Sequence, residues 1–180
     1  EPFVPQSETM FSWPTEKGVD KAPGAAGGAN WPPMSLSRSS GLLFVAGSHN
    51  PTNYKLERDA DGQTLMTMGN LNNPARWGTV TAIDPQDGKI KWQQRTDLPV
   101  VSGTLSTAGG LLFHGQSNRF FVARDESTGQ KLWEFQTGAG VNAPPVTYSV
   151  NGRQYVAVAS GGHALFKYPL GNAVVAFELP

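Results

Sequence analysis

Apolar runs bounded by glycine recur along this chain and predict buried strands. Residues 41–47 read Gly-Leu-Leu-Phe-Val-Ala-Gly, and residues 109–115 read Gly-Gly-Leu-Leu-Phe-His-Gly. Short apolar runs between turn residues are typical of strands inside a sheet. No segment of ten residues or more carries a helical period with caps. The chain is therefore predicted to be all-β, with further strands at residues 77–84, 89–94, 119–125, 130–136, 145–150, 153–160 and 173–179.

One short pattern occurs twice and begins a third time. Residues 82–92 and 123–133 carry Ala, Asp, Gly and Trp at the same internal positions, with Ala123 lying 41 positions after Ala82. Residues 173–178 match residues 79–84, with Glu in place of Asp. An internal repeat of roughly 20–50 residues is the mark of solenoids and propellers. Stacked blades of four strands are the most economical architecture for it.

The residues of the repeat predict a hairpin with an aromatic anchor. The Asp carboxylate can accept hydrogen bonds from backbone N–H groups of the following turn. Gly88 and Gly129 can supply the positive φ that such a turn needs. Trp92 and Trp133 then follow on the next strand, and a buried Trp removes about 150–250 Å² from water. We expect each Trp to be buried against the next copy.

The strands divide the chain into four parts. Residues 1–40 are expected to form an extended, irregular lead-in, because prolines interrupt any helix there. Residues 41–94 form a blade with a polar insertion at 48–76, and residues 110–136 form a second blade. Residues 145–180 form a last, incomplete blade. The insertion is expected on the surface, with at most a local hairpin near residues 64–68, and segments of this length often serve as lids.

Composition excludes several classes of function. The 180 residues carry 14 basic and 14 acidic side chains, so nothing favours nucleic acid as a partner. The chain has no cysteine, which excludes disulfides and thiolate metal sites. No apolar run approaches the roughly 20 residues of a membrane helix. The start at Glu1-Pro2-Phe3 has no initiator Met, and we interpret this as a processed chain or a fragment.

The repeat resembles the tryptophan-docking motif of quinoprotein dehydrogenases, which are eight-bladed β-propellers that bind pyrroloquinoline quinone (PQQ). Three other segments resemble the same family: residues 27–34 (Gly-Gly-Ala-Asn-Trp-Pro-Pro-Met), residues 102–110 and residues 152–163. The segments occur in the family's order and cover essentially the whole chain. The resemblance is to the C-terminal third of such an enzyme, in the alcohol, glucose and quinate branch, and it implies about three of the eight blades.

The resemblance also implies a reaction and its missing parts. Enzymes of the family abstract a proton from an alcohol with an Asp and transfer hydride to the quinone, which a metal ion polarises. The base and the ligands of Ca²⁺ or a lanthanide lie upstream, so no catalytic or metal-binding residue is expected in this chain. The implied partners are the remaining N-terminal part of the enzyme, an alcohol, polyol or sugar substrate, and cytochrome c or a quinone as electron acceptor. The implied location is the periplasm.

Five residues are the candidate cofactor contacts. The Asn30 amide could bond a quinone carbonyl or carboxylate, or it could satisfy a turn. Trp31 could flank the cofactor plane or simply pack. Val101 and Ser102 stand where several relatives carry Trp-Gly, so a side-chain N–H contact is not expected there. The favoured interpretation is that the pair has no role at the cofactor, and an apolar or backbone contact is the alternative. His163 follows two glycines and could line the pocket or be solvated, and Ala164 could add a backbone contact.

Other polar groups have simpler interpretations. Asp84 and Asp125 occupy equivalent structural turns and are not a catalytic pair. His49 and His114 show no metal-ligand spacing with His163. A second class of function stays open: a non-catalytic propeller scaffold that binds protein partners. Cofactor-dependent dye reduction would separate the two, because a scaffold has no need for the loop chemistry around residues 30–31 and 161–163.

Overall fold

The structure is a computed structural model that describes residues 4–178, and every regular element in that range is a β-strand. The prediction of an all-β chain is therefore confirmed. In chain order the strands are β1 (Val19–Lys21), β2 (Ser35–Leu36), β3 (Leu43–His49), β4 (Thr52–Arg58), β5 (Thr64–Met68), β6 (Trp77–Ile83), β7 (Ile90–Thr96), β8 (Thr104–Ser106), β9 (Leu111–Gly115), β10 (Phe120–Asp125), β11 (Lys131–Gln136), β12 (Val146–Val150), β13 (Arg153–Ser160) and β14 (Ala173–Glu178). Within the described range there is no helix that could span a membrane.

Three sheets follow one another like blades. The first has the strand order β2-β3-β6-β7, the second β8-β9-β10-β11 and the third β12-β13-β14, and every pairing is antiparallel. The repeat residues occupy matching places, because Ala82 pairs with Trp92 and Ala123 pairs with Trp133. A register shift follows each of these alanines, so the two copies share even their irregularity.

Two of the three apolar core clusters lie between neighbouring sheets. The first contains Phe44, Val80 and Leu112, which are all fully buried. The second contains Phe121 and Val156 together with other residues of the second and third sheets. Burying apolar surface between sheets is the main favourable term in such a fold. Each sheet therefore shares its core with a neighbouring sheet.

The repeat turns have the predicted hydrogen bonds. Asp84 Oδ1 accepts from the backbone N–H of Gln86 at 3.0 Å, and Asp125 Oδ1 accepts from that of Thr128 at 2.8 Å. These bonds favour the ionised carboxylate. The backbone N–H of Gln86, followed by the Lys91 side chain, holds the pKa of Asp84 below its ordinary value. The side chains of Ser127 and Thr128 do the same for the pKa of Asp125.

The first repeat tryptophan docks on the second sheet as expected. The indole N–H of Trp92 donates to the backbone carbonyl of Glu126 at 2.9 Å. Its ring lies directly over Gly129, where a Cβ atom would come within 2.6 Å of Trp92 Cε3. Gly129 is thus required twice, for its φ of 74° and for the approach of the indole.

The second repeat tryptophan is a correction to the sequence prediction. Trp133 was expected to be buried, but its side chain is 40% exposed. It packs edge-on against Phe177 at 5.0 Å and borders an open apolar cleft of about 470 Å³. The described residues contain no turn beyond β14 that could cover it as the Gly129 turn covers Trp92. The third sheet likewise has three strands where the others have four.

The insertion is more ordered than the sequence predicted. The strand at Thr64–Met68 is present, but it pairs with a full seven-residue partner, β4. β1, from the lead-in that was expected to be irregular, adds a third strand through Val19, Asp20 and Lys21. Little in the sequence indicated this sheet, because β5 is exposed at every position but Thr67 and β4 carries charged residues. The predicted last strand also included Leu179, which lies outside the described residues.

Candidate functional site

Antiparallel pairing brings all five candidate residues to one end of the sheets. Residues 30–31 lead into β2, residues 97–103 connect β7 to β8, and residues 161–172 connect β13 to β14. The insertion leaves β3 and returns to β6 at this same end. The repeat turns lie at the opposite end, because an antiparallel hairpin alternates its connections between the two ends. Residues that are 130 positions apart in sequence are therefore neighbours at one edge of the fold.

Phe166 is the centre at which three of the candidates meet. The indole of Trp31 stacks on the Phe166 ring with centroids 6.4 Å apart, and the His163 imidazole lies 4.7 Å from the same ring. Val101 is 4% exposed and packs in one apolar cluster with Phe166 and Tyr168. We call this group, Trp31, Val101, His163, Phe166 and Tyr168, the aromatic cluster.

The remaining two candidates lie beside this cluster without joining it. Asn30 is exposed and its amide makes no hydrogen bond to a described residue, so it is free to meet a ligand. Ala164 is also exposed, and its carbonyl accepts from the backbone N–H of Lys167 at 3.0 Å. The Ala164 carbonyl therefore closes a turn. Any contact of Ala164 with a ligand would come from its methyl group or its N–H.

The members of the aromatic cluster differ in solvent exposure. Trp31 is 55% exposed and presents a flat apolar face, whereas Val101 is buried in the same cluster as Phe166. His163 is half-buried, and its Nδ1 is buried without a hydrogen-bond partner among the described residues. A buried polar atom without a partner is uncommon, because it forfeits its bond to water. His163 Nδ1 therefore has an unused hydrogen-bonding capacity, although neighbouring residues of the chain cover it in this structure.

Backbone bonds hold the lead-in and the last loop in place. The lead-in is attached to β3 through reciprocal bonds between Gly28 and Ser48, at 2.8 and 3.1 Å. In the last loop the N–H of Tyr168 donates to the carbonyl of His163 at 3.0 Å. Burial raises the pKa of the Tyr168 phenol, and the nearby positive charge of Arg76 opposes that rise. The phenol is therefore a neutral group at physiological pH.

The arrangement suits a flat, polar heterocycle such as PQQ. Such a group needs an apolar surface for its rings and hydrogen-bond partners for its carbonyl and carboxylate oxygens. The half-exposed indole of Trp31 and the exposed amide of Asn30 provide these, and the His163 ring lies beside them on Phe166. The described residues contain no group of three or more His, Cys, Asp or Glu side chains that could hold a metal ion.

Sequence reasoning missed several residues that belong to this end of the fold. Arg76 contacts the last loop, as described below, and gave no signal because its partners lie 90 positions away. Asn142 did give one: residues 142–145 repeat the Asn-x-Pro-Pro pattern of residues 30–33, and both segments lead into the first strand of a sheet. The Oδ1 of Asn142 accepts from Ser117 at 3.2 Å, and its Nδ2 is buried without a partner.

Fold and site together define this chain as part of a β-propeller whose candidate site residues lie in the loops at one end. Residues 63–156 match the family described as glucose/ethanol/alcohol dehydrogenase, β-propeller domain, which is PQQ-dependent. This match covers more than half of the chain. The chain belongs to the PQQ-dependent dehydrogenase family, and the resemblance inferred from the sequence is confirmed.

Individual relatives agree with this assignment. The chain is 37% identical over 150 residues to the quinoprotein ethanol dehydrogenase of Pseudomonas aeruginosa, which covers 81% of this chain and 24% of the relative. The crystal structure of quinohemoprotein alcohol dehydrogenase from Comamonas testosteroni matches with a TM-score of 0.75 and 30% identity, over 89% of this chain and 27% of the other. A europium-containing methanol dehydrogenase matches with a TM-score of 0.67 and 33% identity, over 82% of this chain and 28% of the other.

These relatives are much longer than the chain. The chain spans about a quarter of the length of the relatives that it matches, in a region toward their C-terminal part. The fold assignment follows directly from the matches. The activity, substrates and partners of the whole protein are matters for proposal.

Proposed function

We propose that this chain supplies part of the PQQ pocket and about three blades of a dehydrogenase that oxidises an alcohol, a polyol or a sugar. The observation that carries the proposal is the aromatic cluster, in which Trp31, Val101 and His163 converge on Phe166 at one end of the sheets. Membership of the PQQ-dependent family makes this end the natural place for the cofactor. When bound, PQQ supplies a quinone that accepts hydride from the alcohol carbon.

The residues of the chain would each contribute binding rather than bond cleavage. Trp31 would cover one face of the PQQ ring system. Val101 would support the aromatic cluster as one of its buried apolar members. Asn30 would donate to a cofactor oxygen, and Ala164 would contribute an apolar contact. His163 would present a ring nitrogen to the cofactor or the substrate, either as a donor or as an acceptor according to its tautomer. The general base and the ligands of Ca²⁺ or a lanthanide would come from the N-terminal part of the same enzyme.

Electron transfer and location follow from the same proposal. We expect cytochrome c or a membrane quinone to accept the electrons, and we expect the enzyme in the periplasm. The Comamonas testosteroni relative is a quinohemoprotein, which supports a haem acceptor in that protein. Reduction of purified cytochrome c or of a soluble ubiquinone analogue would identify the acceptor, and fractionation of cells that express the full-length protein would test the location.

The test of the proposal uses the full-length protein with added cofactor. The purified protein is incubated with PQQ and with either Ca²⁺ or a lanthanide, and reduction of an artificial dye is followed with alcohols, polyols and sugars. We expect quinone absorbance that stays with the protein and dye reduction that requires both PQQ and one of the metals. Retention of neither quinone nor activity would contradict the proposal and would favour the scaffold alternative, in which the propeller binds protein partners.

A substitution at His163 tests where the pocket lies. His163→Ala should weaken PQQ retention or raise the KM for the alcohol, because it removes the group whose Nδ1 has no partner among the described residues. His49→Ala is the matched control, since His49 stacks on Trp77 at 4.7 Å outside the aromatic cluster. Equal effects of the two substitutions would place the pocket elsewhere.

A further inference from the structure

Arg76 connects the insertion to the last loop of the chain. It lies immediately before β6, at the end of the insertion, and its Nη1 donates to the backbone carbonyl of Phe166 at 3.0 Å. The same guanidinium lies over the ring of Tyr168, with Cζ 5.0 Å from the ring centroid. A single side chain thus holds both a carbonyl and an aromatic ring of the loop that contains His163.

A second residue of the insertion reinforces this contact. Asn72 Oδ1 accepts from Arg76 Nη1 at 2.7 Å, which orients the guanidinium. Asn72 Nδ2 donates to the carbonyl of Leu165 at 3.2 Å. The insertion therefore binds the consecutive carbonyls of Leu165 and Phe166. Bonds to a charged donor are shorter and stronger than bonds between neutral groups, so Arg76 dominates the pair.

Backbone bonds within the loop connect the position of the Phe166 carbonyl to that of His163. Tyr168 and Lys167 bond back to the carbonyls of His163 and Ala164, both at 3.0 Å, so residues 163–168 form one tight turn. Lys167 has a φ of 52°, a conformation that a side chain other than glycine rarely adopts unless its surroundings impose it. Because the His163 ring packs against Phe166, a shift of the Phe166 carbonyl would move the imidazole as well.

We propose that Arg76 is a positioning residue that fixes the loop at 161–170, and with it His163, against the cofactor and substrate pocket. The proposal rests on the function proposed above for that end of the fold. Arg76 itself makes no contact with the reacting atoms in this scheme. A lysine would keep the charge but lose the planar fork, and it would restore the contact only in part. In this scheme the insertion holds the last loop in position through Arg76 and Asn72.

The first test measures the loop directly in the full-length protein. Hydrogen–deuterium exchange is compared for wild type, Arg76→Met, Arg76→Lys and the control Arg58→Met, which alters an exposed arginine on β4 of the same insertion. In Arg76→Met, peptides covering residues 161–170 should exchange about tenfold faster, because one charge-assisted bond and its ring contact are lost. Arg76→Lys should lie between the two, and Arg58→Met should match wild type.

Exchange in β9 separates loosening of the loop from loss of the fold. Unchanged exchange in β9, together with faster exchange in the loop, supports the proposal. Wild-type exchange at residues 161–170 in Arg76→Met would overturn it. If Arg76→Met does not fold, the comparison is made with Arg76→Lys, and an unchanged loop in that variant would overturn the proposal equally. This measurement needs no activity, so it stays informative if the full-length protein proves not to be a PQQ enzyme.

The second test asks whether Arg76 acts through His163. With PQQ and metal saturating, Arg76→Met should raise the KM for the alcohol about tenfold, the equivalent of one lost charged bond. In a His163→Ala background the same substitution should change KM by less than about twofold, because residues in one network are not additive. Equal effects in both backgrounds would show that Arg76 stabilises the fold without positioning His163.

Discussion

At the scale of single residues, burial decides the chemistry of side chains that look alike in the sequence. His114 and His163 both stand next to glycine, yet only His163 lies in the aromatic cluster. His114 is fully buried in β9, where Arg124 Nε donates to its Nε2 at 3.0 Å. Its Nδ1–H donates to the carbonyl of Gly115 at 3.2 Å. The ring is therefore held neutral, with the proton on Nδ1.

This neutral histidine predicts a dependence of stability on pH. Burial, and then the charge of Arg124, lowers the pKa of His114 to about 3. The unfolded chain binds a proton at about pH 6.5 and the folded protein does not, so stability is fully present above pH 6.5 and falls toward pH 3. Between pH 6.5 and 5 the loss should be about 2 kcal/mol, at roughly 1.4 kcal/mol per pH unit.

The variant His114→Gln tests this assignment. Glutamine can accept from Arg124 and donate to Gly115 but does not titrate. Melting of the full-length protein is measured at several pH values between 7.5 and 5, for wild type and variant. The variant should lose less stability over that range than wild type. The same slope in both proteins would mean that another group, such as His49, whose pKa is also lowered by burial, controls acid stability.

At the scale of elements, the repeat turn is both a local and an interlocking structure. Asp84 and Asp125 organise their turns through the same backbone bond, from the N–H two residues further on, as the repeat predicted from sequence. Most strands of the three blades also fall where apolar and alternating runs predicted them, whereas β1, β2, β4 and β8 were not predicted. The environment of the two tryptophans could not be predicted in this way. Trp92 is covered because a second turn lies beside it, and Trp133 has no such neighbour among the described residues.

The paired glycines of the repeat isolate this docking contact. Gly88 and Gly129 have φ values of 70° and 74°, but a Cβ atom at Gly88 would meet nothing within 4 Å. Gly88→Ala should cost about 1–2 kcal/mol, the price of a left-handed alanine. Gly129→Ala should cost about 1–3 kcal/mol more, because the methyl group also collides with Trp92. Thermal melting of the two full-length variants measures the difference. An equal loss of stability in both variants would show that the close approach of Trp92 to Gly129 does not contribute to stability.

At the scale of the whole molecule, a buried carboxylate joins the first two sheets. Glu126 is 5% exposed, and its Oε1 accepts from Ser37 at 2.8 Å and from Ser39 at 3.0 Å, both in the loop after β2. Its Oε2 accepts from Ser106 of β8 at 2.8 Å. Its backbone carbonyl receives the indole of Trp92. Four bonds from two sheets therefore converge on one residue.

Removing this carboxylate should weaken the union of the two sheets. Glu126→Ala leaves three hydroxyl groups without their acceptor, and we expect a loss of about 3 kcal/mol in unfolding free energy. Glu126→Gln keeps one acceptor oxygen and should cost about 1–2 kcal/mol. Glu134→Gln, at an exposed pair with Lys131, is the control and should change little. Chemical denaturation of the full-length protein measures these differences, and an effect of Glu126→Ala no larger than that of the control would contradict them.

The sequence by itself determined most strands of the blades, the repeat and the family of this protein. Those properties depend on spacing and local chemistry: glycine at a left-handed turn, aspartate before it, and an apolar strand on either side. Tertiary structure alone decided which tryptophan is covered, which histidine is neutral, and that Arg76 reaches a loop 90 positions away. Burial and long-range contacts depend on how the sheets and loops pack together, and no local pattern in the sequence specifies that packing.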